Sequence, residues 1–333
     1  MIFIVGNSRS GTTMLGRIFG MNTRVHTFGE LHFFEQMIDS DTLDADPQWS
    51  DDKLLKLAER LITSSREGLF FDVPKGKYTT EVKAIITGLE HRGPVSLYKA
   101  ILHAQTAEAG KTIPLEQTPR YLFTAAEILD AFPDSHIINI IRDPRDVMLS
   151  QKNRWKRGKL SGSRIPPLWT VRSWANYHPF TTSKLWTSAV KMADRMTSHP
   201  RFHSISYEGL LSEPEPVLRG VCEAIGLPYE PEMLRVAHVG SSMGMDKPNQ
   251  RGLDKSRIGS WKNGRLTSAE IAICEQVAGE QMRAQGYELS GRSANSLSVL
   301  AVKAGFPIKL AFAGLVNLNR FRNLPQIVKR RLA

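Results

Sequence analysis

The sequence predicts an α/β fold in which helices flank a central parallel sheet. Short apolar segments alternate along the chain with segments of helical apolar spacing, and this alternation is typical of parallel strands joined by helical crossovers. The chain has 333 residues, of which 41% are hydrophobic and 23% are charged. A chain of that length and composition can bury a full core, as one large domain or two modest ones.

Four segments are predicted to form strands. Residues 2–5 are wholly apolar and residues 136–141 include four isoleucines, which is typical of strands that are buried on both faces. Residues 112–115 and 202–206 fit the pattern less well. Pro114 cannot donate to a ladder, and the fourth segment is largely polar.

Amphipathic helices are predicted where apolar residues recur every three or four positions. These apolar stripes cover residues 54–62, 217–225 and 271–282. The third helix begins with a capping box, Thr267 and Glu270, and ends at Gly286. We therefore predict a main domain over residues 1–292 and a basic amphipathic tail over residues 293–333.

The formal net charge of +11 is concentrated at the end of the chain. Residues 293–333 contain seven Lys and Arg and no Asp or Glu, so subtraction (11 minus 7) leaves +4 for residues 1–292. A mildly basic body suits a small anionic ligand bound in a local site. A nucleic-acid partner would need a broad basic face, so none is predicted.

The start of the chain and its cysteines indicate the compartment. No signal sequence precedes the first predicted strand. Cys222 and Cys274 both lie in segments of helical spacing, which favours neither a disulfide framework nor a zinc cluster. We therefore expect a cytoplasmic protein.

A glycine-containing loop, residues 6–13, follows the first strand. A buried strand that leads through such a loop into a helix presents backbone N–H groups and the positive end of the helix dipole to an anion. Gly6 and Gly11 have the spacing of a nucleotide-triphosphate loop, which makes the predicted fold P-loop-like, but Thr12 stands where that motif requires lysine. Two glycines alone are more typical of a tight turn that binds nothing.

Residues 9–13, Arg-Ser-Gly-Thr-Thr, resemble the 5'-phosphosulfate loop of sulfotransferases, whose pattern is Lys or Arg, Ser, Gly, Thr, Thr. The resemblance implies that the donor is 3'-phosphoadenosine 5'-phosphosulfate (PAPS), that its desulfated form PAP is the product, and that no metal is required. It also implies which residues bind the phosphosulfate, namely Arg9, Ser10, Gly11, Thr12 and Thr13.

A second segment, residues 142–150, follows the strand at 136–141 and resembles the family's 3'-phosphate motif. The family binds that phosphate with an arginine and a serine eight positions later, which correspond to Arg142 and Ser150. Alone, the segment is equally consistent with a surface ion pair between Arg142 and Asp143. Two anion motifs, each at the carboxyl end of a predicted strand, favour the nucleotide site.

Two further resemblances concern the cover of the nucleotide. Residues 255–263 are similar to the Gly-x-Trp-Lys segment that covers it in this family. There Lys255 and Arg257 would reach phosphate oxygens, and Ser260 would add a hydroxyl. A solvated charged loop is the alternative. Tyr207 resembles the tyrosine that borders the nucleotide in tyrosylprotein and carbohydrate sulfotransferases, although a half-buried aromatic would show the same pattern.

Sulfuryl transfer is an in-line displacement in which charge develops on the leaving phosphate and spreads over peripheral oxygens, so positioning and electrostatics do most of the work. Arg9 is predicted to oppose that charge and is therefore a catalytic candidate as well as a binding residue. Lys262 or Lys255 would assist it.

The acceptor hydroxyl must lose its proton as it attacks, so a base is expected. Glu30 is the predicted base, because tyrosylprotein and carbohydrate sulfotransferases similarly place a glutamate after the loop and its helix. His32 and His26 are local alternatives. Cytosolic sulfotransferases use a histidine further along, and His103 is the nearest candidate by position.

Residues 115–121 resemble the family's Lys-Thr-Pro stretch, with Gln117 at the lysine position. A neutral amide cannot supply the same charge. Gln117 therefore leaves one alternative open, a nucleotide-binding module without catalysis. The glycine spacing of residues 6–13 leaves a second, a P-loop-type kinase or NTPase, although Thr12 in place of lysine argues against it. The hydroxyl acceptor, whether a carbohydrate, a lipid-linked molecule or a small molecule, has no recognisable motif.

The tail combines its seven cations with apolar residues, and Pro307 and Pro325 are predicted to break it. Its longest nonpolar run, residues 310–316, is too short to span a bilayer. Such a tail suits either an interfacial helix in peripheral contact with anionic lipid or a helix that packs on the domain with a solvated basic face.

Overall fold

A five-stranded parallel sheet forms the centre of the fold in the computed structural model, which describes residues 1–68, 74, 76–156, 167–238, 247–263 and 265–317. The strands are β1 Ile2–Gly6, β2 Val25–Phe28, β3 Ile113–Gln117, β4 His136–Ile141 and β5 Phe202–Ser206. Their order across the sheet is β2-β3-β1-β4-β5. Because all five are parallel, their carboxyl ends share one edge, which is the edge where open α/β sheets bind ligands.

Helices cover both faces of this sheet. In the described residues they are, in chain order, α1 Thr12–Gly20, α2 Ser40–Ala45, α3 Asp51–Arg66, α4 Thr79–Thr87, α5 Pro94–Glu108, α6 Ala125–Ala131, α7 Pro144–Lys152, α8 Pro167–Ala175, α9 Pro179–Met196, α10 Tyr207–Ser212, α11 Pro214–Ala224, α12 Ser268–Ala284, α13 Ser296–Ala304 and α14 Phe306–Asn317. A short antiparallel pair, β6 Ala237–His238 and β7 Lys247–Arg251, lies outside the central sheet.

The side chains of β1 alternate between two cores. Phe3 and Val5 pack with residues of α3, α5 and α6 on one face. Ile2 and Ile4 pack with residues of α1 and α11 on the other face. This alternation explains why the first strand is apolar at every position, since both faces of a central parallel strand are buried.

The predicted fold class is confirmed, and the strands at 136–141 and 202–206 have the predicted bounds. β3 begins one residue later and ends two residues later than the predicted strand at 112–115. β2 was not predicted. Its sequence is Val-His-Thr-Phe, and only its first and last residues are buried, so it lacks the continuous apolar run that marks β1 and β4.

The three predicted helices are present as α3, α11 and α12. At the start of α12 the capping box forms as predicted. The Thr267 side chain accepts from the Glu270 N–H, and the Glu270 carboxylate accepts from the Thr267 N–H at 2.8 Å. Two of the orphan donors at this helix end are thereby satisfied.

The structure corrects the prediction for the tail. α13 and α14 form a helical run of 22 residues, Ser296–Asn317, that is long and apolar enough to cross a membrane by length and composition. The helical run is interrupted at Gly305, between the end of α13 and the start of α14, close to the predicted break at Pro307. Pro307 itself stands in the first turn of α14, where a proline removes no hydrogen bond. Residues 318–333, with Pro325, lie outside the described residues. The division at residue 292 stays a prediction.

Candidate active site

The loop between β1 and α1 requires a glycine at two positions. Gly6 has a φ of 149°, and a Cβ there would lie 2.6 Å from the carbonyl oxygen of Ile140. Gly11 has a φ of 105°, and a Cβ there would lie 2.6 Å from the Tyr207 ring. Larger residues at these positions would displace β4 or Tyr207. The loop is therefore packed directly against both elements.

The loop leads into the N-terminus of α1, whose first turn contains no acidic residue. The positive end of the helix dipole is therefore not offset there by a carboxylate. Ser10 is fully buried, and its Oγ has no hydrogen-bond partner among the described residues. A buried hydroxyl without a partner is costly unless a ligand satisfies it. Both features fit an anion.

Arg9 and Ser150 are 141 positions apart in sequence and meet beside this loop. The Arg9 Nε donates to the Ser150 Oγ at 3.0 Å. Ser150 lies on α7 and is buried. The structure thus brings together the two anion motifs that the sequence analysis identified separately.

Arg142 follows β4 at the carboxyl edge of the sheet. Its guanidinium lies over the Tyr207 ring, 4.2 Å from the ring centroid. Its Nη2 donates to the Arg257 carbonyl at 3.0 Å and lies 3.7 Å from the Asp146 carboxylate. Its Nε is buried and has no hydrogen-bond partner in the part of the chain that the structure describes. These contacts hold the guanidinium in place, and its Nε–H group remains available to donate a hydrogen bond to a ligand.

The surface ion pair between Arg142 and Asp143, which was the alternative interpretation of this segment, is not what the structure shows, because Asp143 pairs with Arg145 at 2.7 Å. Arg145 also lies 2.9 Å from Glu275 and 4.0 Å over the Trp261 ring. This buried network joins the start of α7 to α12 and to the cover segment, so its role is structural.

Asp146 is a residue of the site that the sequence analysis missed. Its carboxylate accepts from the Gly259 N–H at 2.9 Å and from the Trp261 N–H at 2.8 Å. Burial raises the pKa of Asp146 to about 6, against the opposing charge of Arg142. Asp146 therefore ties the cover segment to the helix that carries Ser150. The sequence signal that could have identified Asp146 is its position four residues after Arg142, a spacing at which helical side chains are neighbours.

The four predicted residues of the cover segment have different surroundings. The Lys255 Nζ donates to the Ser212 carbonyl at 3.1 Å, and the Arg257 side chain pairs with Asp254 at 3.0 Å. Ser260 is buried and donates to backbone carbonyls of its own segment. Lys262 Nζ lies 5.8 Å from the centroid of the Trp261 ring. Arg257 adjoins the Arg142 guanidinium through its carbonyl group.

Glu30 follows β2 at the same edge of the sheet and belongs to a row of three charged side chains. Its carboxylate lies 3.2 Å from the His32 Nε2, and the His32 Nδ1 lies 3.2 Å from Glu35. Burial alone would lower the pKa of His32, but the two carboxylates raise it to about 9. Burial would raise the pKa of Glu30, but His32, with the charges of Arg154 and Arg120, lowers it.

Glu116, in β3, supports the segment that carries Glu30. The Leu31 N–H donates to its Oε1 at 3.1 Å, Thr118 donates to the same oxygen at 2.6 Å, and the Tyr98 hydroxyl donates to its Oε2. Burial raises the pKa of Glu116 to about 7, against these hydrogen bonds. The sequence analysis missed this residue, because two of its three partners, Leu31 and Tyr98, come from other segments.

The two other histidine candidates lie away from this row. His26 is inside β2, opposite Pro114, and burial together with the Lys111 charge lowers its pKa. Burial and the charge of the chain's N-terminal amino group lower the pKa of His103. That amino group precedes β1 at the amino edge of the sheet, so His103 is at the opposite edge from the loop.

Gln117 ends β3 beneath the loop. It is 7% exposed, and a Cβ on Gly16 of α1 would lie 3.4 Å from its Cγ. Its Oε1 has no hydrogen-bond partner within the described residues. Across those same residues, no group of three or more His, Cys, Asp or Glu side chains is arranged to hold a metal ion.

Comparisons with known proteins give consistent results. A family model described as sulfotransferase family matches residues 2–231. The sulfotransferase domain from the curacin biosynthetic pathway is 19% identical, with a TM-score of 0.51 over 87% of this chain and 98% of that chain. The sulfotransferase domain from the Synechococcus PCC 7002 olefin synthase is 18% identical, with a TM-score of 0.51 over 87% and 95%. At these identities the likeness shows the fold. None of the curated proteins compared matches the sequence.

Proposed function

This chain belongs to the sulfotransferase family, and on that premise we propose that it transfers a sulfuryl group from PAPS to a hydroxyl acceptor. The contact between the two anion motifs, Arg9 to Ser150 at 3.0 Å, carries the proposal. Two buried polar atoms, Ser10 Oγ and Arg142 Nε, lie in the same motifs without hydrogen-bond partners among the described residues. Anionic oxygens are the acceptors that such donors favour.

In this proposal each motif holds one end of the nucleotide. Residues 9–13 hold the 5'-phosphosulfate with backbone N–H groups and the dipole of α1. Arg142 holds the 3'-phosphate with its guanidinium, and Ser150 adds a hydroxyl donor. Tyr207 supports the Arg142 guanidinium from below. PAPS, when bound, supplies the activated sulfuryl group.

Arg9 opposes the negative charge that develops on the leaving phosphate, because it is the cation within the phosphate loop itself. Gln117 is neutral and cannot replace the lysine of the family pattern. The Lys255 ammonium donates to a backbone carbonyl of α10 instead. We therefore assign the catalytic positive charge to Arg9.

Glu30 takes the proton of the acceptor hydroxyl. Its lowered pKa keeps the carboxylate ionised at neutral pH, and its side chain is 40% exposed, so an acceptor can reach it. His32 has a pKa of about 9 and is protonated at neutral pH. A protonated imidazole has no lone pair for a proton, so His32 orients Glu30 and does not act as the base.

A thermal-shift experiment with PAP, PAPS, ATP and GTP, without added metal, tests the donor assignment. We expect PAP and PAPS to raise the melting temperature, since a ligand that binds the native state stabilises it, and ATP and GTP to leave it unchanged. Stabilisation by ATP that depends on magnesium would favour a P-loop-type kinase or NTPase. PAP binding without sulfate transfer to any hydroxyl acceptor would favour a non-catalytic nucleotide-binding module.

A further inference from the structure

The C-terminal helices α13 and α14 expose large apolar side chains to solvent. Ile308 is 77% exposed and Leu297 is 74% exposed, and only 6% of the most apolar window of the run Ser296–Asn317 is buried. Leu300 and Leu315 are exposed in the same run, and Trp174 of α8 is 51% exposed. We call these five side chains the C-terminal apolar surface. Large apolar side chains that are exposed in such number over one short segment mark an interaction site.

This surface is attached to the domain. The Arg172 Nε donates to the Val316 carbonyl at 2.7 Å, and the Lys309 Nζ lies 4.5 Å over the Trp174 ring. The Phe306 ring lies 5.3 Å from the Phe180 ring at the start of α9. α14 is therefore held against α8 and α9, while Ile308 and Leu315 of the same helix remain exposed.

The charged residues of the tail itself have one sign. Residues 293–333 contain seven Lys and Arg and no Asp or Glu. Lys303 and Lys309 lie in the helices, and the other five cations follow in residues 318–333. A second copy of the chain would bring its own Lys303 and Lys309 to the same surface, and like charges oppose association. An anionic surface would neutralise them.

A spanning arrangement of these helices conflicts with the same observations. Lys303 and Lys309 each lie within four residues of the middle of the run Ser296–Asn317. A lysine at the centre of a bilayer is among the most costly residues to insert. A spanning helix would also have to give up the contacts of α14 with α8 and α9. A helix that lies along the membrane–water interface leaves the lysines in a polar environment and keeps the contacts of α14 with α8 and α9.

We propose that the C-terminal apolar surface docks on an anionic lipid bilayer. Its apolar side chains would lie in the acyl boundary, and the lysines of α13 and α14 would lie at the headgroups. An interfacial helix binds through buried apolar area together with attraction to anionic lipid. The proposal does not depend on sulfuryl transfer, because the surface lies outside the nucleotide and acceptor residues.

Vesicle flotation of the full chain tests the docking. We expect the protein to float with vesicles of phosphatidylcholine and 30% phosphatidylglycerol, and at least tenfold less with phosphatidylcholine alone or in 0.5 M salt. Equal flotation with neutral and anionic vesicles would overturn the proposal. Membrane-bound protein that resists alkaline carbonate would also overturn it, because it would show insertion across the bilayer.

Two matched variants locate the binding surface. Ile308→Asp removes an exposed apolar group and adds a repelled charge, so the partition coefficient should fall at least tenfold. Leu185→Asp, on α9, changes a residue that is 37% exposed and lies outside the surface, so it should float like the wild type. Equal melting temperatures confirm that both variants fold. A wild type that is dimeric by light scattering and does not float, and that Ile308→Asp makes monomeric, would show that a second copy covers the surface.

Discussion

The nucleotide end and the acceptor end of the candidate site hold their charged groups in different ways. Arg142 is largely buried and contacts a tyrosine ring, a backbone carbonyl and a carboxylate. Ser150 beside it is 6% exposed. Glu30 is 40% exposed, and among the described residues its carboxylate contacts His32. The backbone next to Glu30 is nevertheless anchored, through the Leu31 N–H and the buried Glu116.

This difference follows from what each end has to do under the proposed function. A group that binds the same phosphate in every cycle gains from a fixed orientation, since less entropy is lost on binding. A base must release its proton to solvent after each transfer, and a buried carboxylate would do so slowly. The acceptor end therefore combines a rigid backbone with an accessible carboxylate.

Replacing the proposed base should have the largest effect. Glu30→Gln keeps the size and one hydrogen bond of the side chain but removes the proton acceptor, so kcat should fall about 10²- to 10⁴-fold. The dissociation constant for PAP should stay within about twofold of the wild type. Turnover is measured with any hydroxyl acceptor that the wild type sulfates, and PAP affinity by calorimetry.

Glu35→Gln is the matched control, because Glu35 contacts the other nitrogen of the same imidazole. It should reduce kcat far less than Glu30→Gln. Full turnover in Glu30→Gln would show that the acceptor end contains a different base. Equal losses in the two variants would show that the row of charges acts structurally.

Truncating the nucleotide end should affect binding before chemistry. Arg142→Ala removes a charge-assisted donor and the link to the Arg257 carbonyl, so PAP affinity should fall about 10²-fold, corresponding to about 2.7 kcal/mol. Ser150→Ala removes one neutral donor and should cost about fivefold, or roughly 1 kcal/mol. Both are measured by titration calorimetry.

Arg219→Ala serves as the control for charge, because Arg219 is an exposed arginine of α11 that pairs with Glu215. It should bind PAP like the wild type. If Arg142→Ala retained normal PAP affinity, the 3'-phosphate assignment would be wrong. The nucleotide end would then no longer differ from the acceptor end by its role in binding the nucleotide.

The smallest expected effect concerns pH and the stability of the acceptor end. The pKa of His32 is raised from 6.5 to about 9 in the folded chain, so its stabilising charge is fully present below pH 6.5 and is lost as the pH rises through 9. The difference in unfolding free energy between wild type and His32→Gln should be about 1 to 2 kcal/mol at pH 6 and should shrink by pH 10. Urea unfolding at both pH values measures it.

His103→Gln is the comparison variant, since His103 lies at the opposite edge of the sheet and its pKa is lowered. The difference in unfolding free energy between the wild type and His103→Gln should not decrease between pH 6.5 and pH 9. A His32→Gln difference that is flat with pH would contradict a charged His32 and would reopen its role as the base.

Local sequence patterns predicted much of this fold and of the nucleotide end. The apolar runs of β1 and β4, the capping box at Thr267 and the positive φ angles of Gly6 and Gly11 are local features of the chain. Such features are fixed by backbone geometry and short-range hydrogen bonds. The strand β2 escaped prediction because half of its residues are polar and its pairing with β3 comes from 85 or more positions away.

Other features depended on contacts between distant segments. Asp146 acts through backbone groups more than 110 positions further on, and the sequence shows it only as one of several charges in the motif. The pKa of His32 depends on carboxylates only two and three residues away, but the sequence pattern does not show that the backbone sets both 3.2 Å from its ring nitrogens.

By itself, then, the sequence determined the fold class, four of the five strands of the central sheet, the glycine loop and the family to which the chain is similar, because each rests on spacing along the chain. Tertiary structure alone decided that Arg9 meets Ser150, that Glu30 is accessible while Glu116 is not, and that the apolar side chains of α13 and α14 remain exposed. Proximity and burial are set when distant segments pack against one another, and charge, pKa and solvent exposure follow from that packing.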